Sequence, residues 1–300
     1  MKRFWFIALS LVFVLAACAP KSTAVPAPVS SFNYDAAVPF DTKIISQSEQ
    51  SGVTVTELSY AAHDSSFAIN TDGRTMATLV SPKGSGPFAG ILYVHTLSDL
   101  YGGRHEYLNE AITMAQHGAV SLLPQENFPY GCVPIGTQAD RAMYIGQVIE
   151  LRRAFDFLLT QPGVDPQRLG YVGHGFGGVY GGILAGVDKR AKTYVLIAGV
   201  PRFADAANAC GNLNIPTPQY QTYVKDIDPI NFVPNTAPAS IFFQFYKGSA
   251  VPPESPANQY SKAASQPKKI EWYEDIHDMH TDPVVAAHQA WLIEQLKLAP

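Results

Sequence analysis

Charge is scarce in this 300-residue chain: 21 Lys and Arg stand against 25 Asp and Glu, 15% of all residues, for a net charge of −4. No basic run follows the first three positions. A nucleic-acid partner needs a positive patch or stripe, so that class is excluded. Cysteine is scarcer still, and beyond Cys18 only Cys132 and Cys210 remain, one possible pair. No internal repeat is visible. Apolar residues are plentiful at 47%, enough for a sizeable core and too many for a disordered tail.

The first residues form a separate segment. Met1-Lys2-Arg3 is a basic start, Phe4 to Leu15 is nearly all apolar, and Leu15-Ala16-Ala17-Cys18 follows. The apolar run is short for a membrane span and reads as an export signal over residues 1–17. The L-A-A-C ending resembles the bacterial lipobox, which implies that Cys18 is lipidated and becomes the new N-terminus. The expected partner is then a lipid bilayer, and the expected location an exported, membrane-anchored one, on the periplasmic or extracellular face. "APKSTAVPAPVSS" is rich in Pro, Ala and Ser, so residues 18–52 are expected to be a flexible tether. In an oxidising compartment Cys132 and Cys210 are a disulfide candidate, with two buried thiols as the alternative.

From residue 53 onward the pattern is regular. "GVTVTELSY" (52–60) alternates as a half-buried strand, and "RTMATLV" continues after a turn. "GILYVHT", "AVSLLPQ", "RLGYVGHG", "KTYVLIAGV", "ASIFFQFYKG" and "KKIEWYED" read as further strands. Leu108, Ala111, Ile112 and Ala115 make one helical stripe. Tyr144, Val148, Leu151, Phe155 and Leu158 make a longer one. "FGGVYGGILAG" is a helix of small residues, and Asp282-Pro283 opens the last helix with a cap and a proline. The order predicts one α/β domain over 53–300. Its expected core is a mainly parallel, doubly wound sheet of about eight strands, with helices on both faces. Ligands of such sheets bind at the carboxyl ends of the strands, where His95, Gly175, Ser249 and His277 fall.

"GHGFGG" (173–178) admits two readings. Gly173, Gly175 and Gly178 satisfy G-x-G-x-x-G, but a dinucleotide site belongs in the first strand–helix–strand unit, with an acid about 20 residues on. Here several strands precede the glycines, and the next strand ends "LIAGVPR" without an acid. The same letters also read as G-x-S-x-G with glycine in place of serine, in the strand–turn–helix context which that motif requires.

On "GPFAGILYVHT", "RLGYVGHGFGG", "DPINFVPNTAPASIFFQFYKG" and "WYEDIHD" the chain resembles the α/β-hydrolases, and among them the compact dienelactone-hydrolase-like members, over roughly residues 53 to 298. The resemblance implies ester or lactone hydrolysis by a nucleophile, an acid and a histidine, with an oxyanion hole and no cofactor. Gly175 stands at the nucleophile position, Ser249 at the acid position and His277 at the histidine. Phe176, with Thr96 or Leu97, stands where oxyanion N–H groups belong. Asp205 is a candidate displaced acid, and Thr96, Ser98 and Cys132 are candidate displaced nucleophiles. His277 with His280, and His95 with His174, match no zinc spacing, so no metal is expected.

Glycine has no atom with which to attack a carbonyl. The expectation is therefore a lipoprotein that binds a small carbonyl or carboxylate ligand, or a partner, without acyl-enzyme chemistry. The alternative is an ester or lactone hydrolase with a relocated nucleophile. Gly175→Ser together with Ser249→Asp is expected to restore more activity than either change alone.

Overall fold

The computed structural model describes residues 26–64, 72–97, 102–126, 136–209, 217–247, 254–275 and 281–299. Its strands are β1 (Lys43–Gln50), β2 (Val53–Ala61), β3 (Arg74–Ser81), β4 (Phe88–Val94), β5 (Ala119–Pro124), β6 (Val164–His174), β7 (Ala191–Ile197), β8 (Ser240–Tyr246) and β9 (Lys268–Tyr273). Among the described residues they form one sheet in the order β1-β2-β3-β5-β4-β6-β7-β8-β9. β1, β2, β3 and β5 pair antiparallel. From β5 across to β9 every pairing is parallel. This is the mainly parallel, doubly wound sheet expected from the sequence, with one strand more.

The helices are α1 (Leu108–Gln116), α2 (Gln138–Leu159), α3 (Phe176–Val187), α4 (Phe203–Ala209), α5 (Pro218–Val224), α6 (Glu254–Ala263) and α7 (Asp282–Leu296). They sort to two faces because neighbouring strand residues point to opposite sides. Leu92, Leu122 and Tyr171 join the core under α2 and α3. Their neighbours Tyr93, Leu123 and Val172 join the core under α1 and α7. α2 starts in a capping box, with Ala139 N–H donating to Thr137 and Thr137 N–H to Asp140. α7 is capped by Thr281, one residue before the expected Asp282, and carries the expected proline in its first turn. His288 of α7 ties the layers together, with Nδ1 at 2.9 Å from Gln244 Oε1 of β8 and Nε2 at 2.9 Å from Glu110 Oε2 of α1.

The expected tether is in part packed structure. Ala27 N–H donates to Asp226 O (2.8 Å), Phe32 is fully buried against Phe232, and the guanidinium of Arg153 donates to the carbonyls of Val38 and Pro39. Among the described residues, packing thus reaches back at least to Ala27, ahead of the boundary at 53. β1 escapes the sequence reading because its eight residues are all exposed, so no buried face imposes alternation on them. Among the described residues no helix is long and apolar enough to cross a membrane.

Candidate functional site

The glycine turn lies where β6 delivers the chain into α3. Gly175 has φ 55° and ψ −115°, a backbone state that strains any residue with a Cβ. Its neighbours are glycines for a different reason. A Cβ on Gly173 would strike the Gly177 carbonyl, and one on Gly177 would strike the Val94 carbonyl of β4. One on Gly178 would sit 3.0 Å from Gly199 Cα. Close packing accounts for Gly173 and Gly178 and the backbone state for Gly175, so every glycine of the apparent dinucleotide fingerprint has a structural reason.

β4 and β6 are parallel neighbours with Val94 opposite Gly173. Two residues further along each strand, Thr96 and Gly175 come level. The three heavy atoms nearest to a Cβ built on Gly175 all belong to Thr96, with Oγ1 foremost. Gly175 and Thr96, named from the sequence, are therefore brought together, with Phe176 and Leu97 next to them in the chain.

Glu106 was not foreseen. It lies in the short 3-10 turn Gly103–Tyr107 and is almost fully buried. Thr96 N–H donates to its Oε2 (2.8 Å), and its Oε1 lies 2.6 Å from His174 Nδ1 with one proton between them. Glu57 of β2 holds that turn in place by accepting from Arg104 (2.8 Å) and pairing with His105 (3.0 Å). Burial alone would push the Glu57 carboxyl up, but hydrogen bonds from Arg104, Thr78 and His105 hold it below the usual range.

His95 fixes the other end of the Thr96 residue. Gln125 Nε2 and the Glu126 N–H both donate to His95 Nε2, each at 3.2 Å. The proton therefore sits on Nδ1, which donates to Thr96 O at 2.7 Å. Glu126 is itself buried at this edge; burial pushes its carboxyl well above the usual range, and Glu150 adds to the shift. The Thr96 N–H, one of the two donors expected from this side of the turn, is thus committed to Glu106.

Asp205 sits in α4 with Arg202 at 3.4 Å, and burial raises its pKa. Nearby Asp228 accepts from Phe203 N–H at 2.9 Å. Burial pushes Asp228 up to about 7 against the pull of that bond and Arg202, with Asp205 and Asp226 adding. An ordinary Asp titrates near 3.9. Between about pH 4 and 7 the folded state therefore holds a proton that the unfolded chain has released. This contribution to stability is present in acid and is lost as pH rises through 7. Relative to Asp228→Asn, the parent is expected to lose on the order of 2–4 kcal/mol between pH 4 and 8. Urea unfolding across that range checks this, and a pH-independent difference between the two proteins would contradict it.

Cys18, Ser98, Cys132, Cys210, Ser249, His277 and His280 lie outside the described residues. Among the described residues no group of three or more His, Cys, Asp or Glu could hold a metal ion.

The chain matches no family model and no curated protein. Solved structures do resemble it. An acetyl xylan esterase from a Paenibacillus species superposes with a TM-score of 0.67 at 18% identity, over 85% of this chain and 89% of that one. Acetyl xylan esterase 1 from a Thermoanaerobacterium species gives 0.67 at 14% identity, over 91% and 95%. A dienelactone hydrolase-like protein from Klebsiella pneumoniae gives 0.56 at 15% identity, over 82% and 98%. The chain has the α/β-hydrolase fold.

Proposed function

We propose that this protein is an exported α/β-hydrolase-fold lipoprotein which binds a small carbonyl or carboxylate ligand above the glycine turn and does not run acyl-enzyme chemistry. The observation that carries the reading is Gly175. It keeps the backbone geometry of a nucleophile elbow, φ 55° and ψ −115°, without an atom to attack with. Elbow strain costs a non-glycine residue on the order of 1–3 kcal/mol, and glycine is free of it. Position 249 offers a hydroxyl in place of a carboxylate to orient His277. Since two of the structural neighbours are named acetyl xylan esterases, acetate and acetyl esters are the first ligands to try.

The test is a panel of activated acyl esters with a covalent serine-hydrolase probe. No labelling is expected, and turnover should stay within about 10³-fold of the rate in water. Rapid turnover abolished by His277→Ala would overturn the reading in favour of an ester or lactone hydrolase with a relocated nucleophile.

The bilayer attachment is part of the same proposal. Cys18→Ala should move the protein from the membrane to the soluble fraction, and unchanged sedimentation with membranes would remove the anchor. Cys132 and Cys210 are proposed to be bridged, and two alkylatable thiols in the folded protein would count against the bridge. On the chain-entropy estimate a loop of this length is worth on the order of 4 kcal/mol.

A further inference from the structure

We infer that Thr96 and Gly175 have exchanged duties: the hydroxyl that this fold presents at the elbow is supplied by Thr96 from the end of β4, and it is the side chain that meets the ligand. Three observations carry this. A side chain at position 175 would have to displace the Thr96 hydroxyl, because Thr96 Oγ1 lies inside the contact radius of a Cβ there and Thr96 Cβ is 3.2 Å from it. The strand register explains the coincidence, since Val94 and Gly173 are paired and the two residues extend equally beyond them. The peptide of Thr96 is also clamped from both ends, its N–H by Glu106 (2.8 Å) and its carbonyl by His95 Nδ1–H (2.7 Å).

A chance neighbour would not need such a mount. Glu106 and His95 are both buried, and each is held in turn by a further partner, His174 for Glu106 and Gln125 with the Glu126 N–H for His95. Threonine adds stiffness of its own, because its β-branch restricts χ1. The result is a hydroxyl with a fixed origin over the turn at Gly175. Such a group donates to a carboxylate or carbonyl oxygen without the base and acid that a nucleophile would require. It also bears on an expectation raised above: on this inference Gly175→Ser, with or without Ser249→Asp, restores a catalytic serine only if Thr96 gives way.

The exchange is tested by unfolding four proteins in urea: the parent, Gly175→Ala, Thr96→Gly and the double variant. Gly175→Ala is expected to raise the unfolding equilibrium constant at least 100-fold. The double variant should recover at least tenfold relative to the product of the two single effects. Multiplicative effects would overturn the exchange. If Gly175→Ala does not fold, recovery of a folded double variant supports it, and a double variant that also fails to fold overturns it.

The ligand role rests on the binding reading proposed above and is tested by titrating acetate into the parent, Thr96→Ser and Thr96→Val. Serine is expected to retain affinity and valine to lose about tenfold or more, the worth of one hydrogen bond left unmade. Equal affinity in all three would overturn the role. So would a stable acetyl adduct on Thr96, formed from p-nitrophenyl acetate with release of p-nitrophenolate. Failure of the parent to bind acetate would overturn the ligand role together with the reading it rests on, and the unfolding series would still decide the exchange on its own.

Discussion

Glu106→Ala is expected to cost about 3–5 kcal/mol of stability and to abolish ligand binding in the protein that still folds. The carboxylate serves two donors at once, Thr96 N–H and the shared proton with His174 Nδ1. Its side chain is 1% exposed and that of His174 4%, so water cannot replace what is lost. Each buried donor left without an acceptor costs about 1–3 kcal/mol, and removing one partner of a buried polar pair typically costs 3–5. Against a total stability of roughly 5–15 kcal/mol, this is a loss that unfolds a marginal protein. Glu106→Gln separates structure from positioning. Its amide oxygen can still accept from Thr96, whereas its NH₂ must face His174 and forces that ring to present a bare nitrogen. The Gln variant should therefore keep more than half of the lost stability. A urea midpoint for Glu106→Ala within about 0.5 kcal/mol of the parent would show that the carboxylate is dispensable.

Arg153→Ala should be as damaging, for reasons remote from the site. Arg153 is 0% exposed and, among the described residues, donates to backbone, to Ala61 O (3.0 Å), Val38 O (3.1 Å) and Pro39 O (2.9 Å), with its guanidinium 4.3 Å over the Phe40 ring. It is the pin that fastens the segment ahead of β1 to the end of β2. Alanine leaves three carbonyls unpaired and a cavity the size of an arginine side chain, a combination worth about 3–5 kcal/mol. Methionine fills the volume without the donors and should recover only part of this. Limited proteolysis gives a local readout: cleavage between residues 27 and 42 should accelerate before the rest of the domain opens. A strap as protected as in the parent would refute the pinning role.

On the proposed reading, loss of the elbow nucleophile is chemically complete yet structurally almost silent. β6, Gly175 and α3 keep the path of a strained turn, and the packing glycines at 173, 177 and 178 still allow α3 to close on the strand ends. These constraints come from backbone contacts that no catalytic side chain is needed to maintain. On that reading the site persists as a binding place once the reaction has gone.

Much of this was legible in the residues alone. Eight of the nine strands announce themselves as buried runs or alternations, because side-chain direction along a strand has a period set by the local backbone. The elbow is legible because three glycines follow a strand and open a helix. That position 175 carries no side-chain atom is a fact of covalent structure that no tertiary arrangement can alter: it is glycine wherever it lies. What the fold decided was which side chains meet. His174 and Glu106 are 68 residues apart in sequence. Nothing local marks Glu106 as more than an acidic residue near the start of a helix, where such residues are common for their own electrostatic reasons. The confrontation of Thr96 with Gly175 depends on the register between β4 and β6, which is set by the crossover that joins them and by the packing of α3. β1 is invisible for the opposite reason, since a strand exposed on both faces carries no pattern of burial. Periodicity is written by short-range geometry and can be read residue by residue, whereas contact between distant side chains is created only when the sheet aligns its strands.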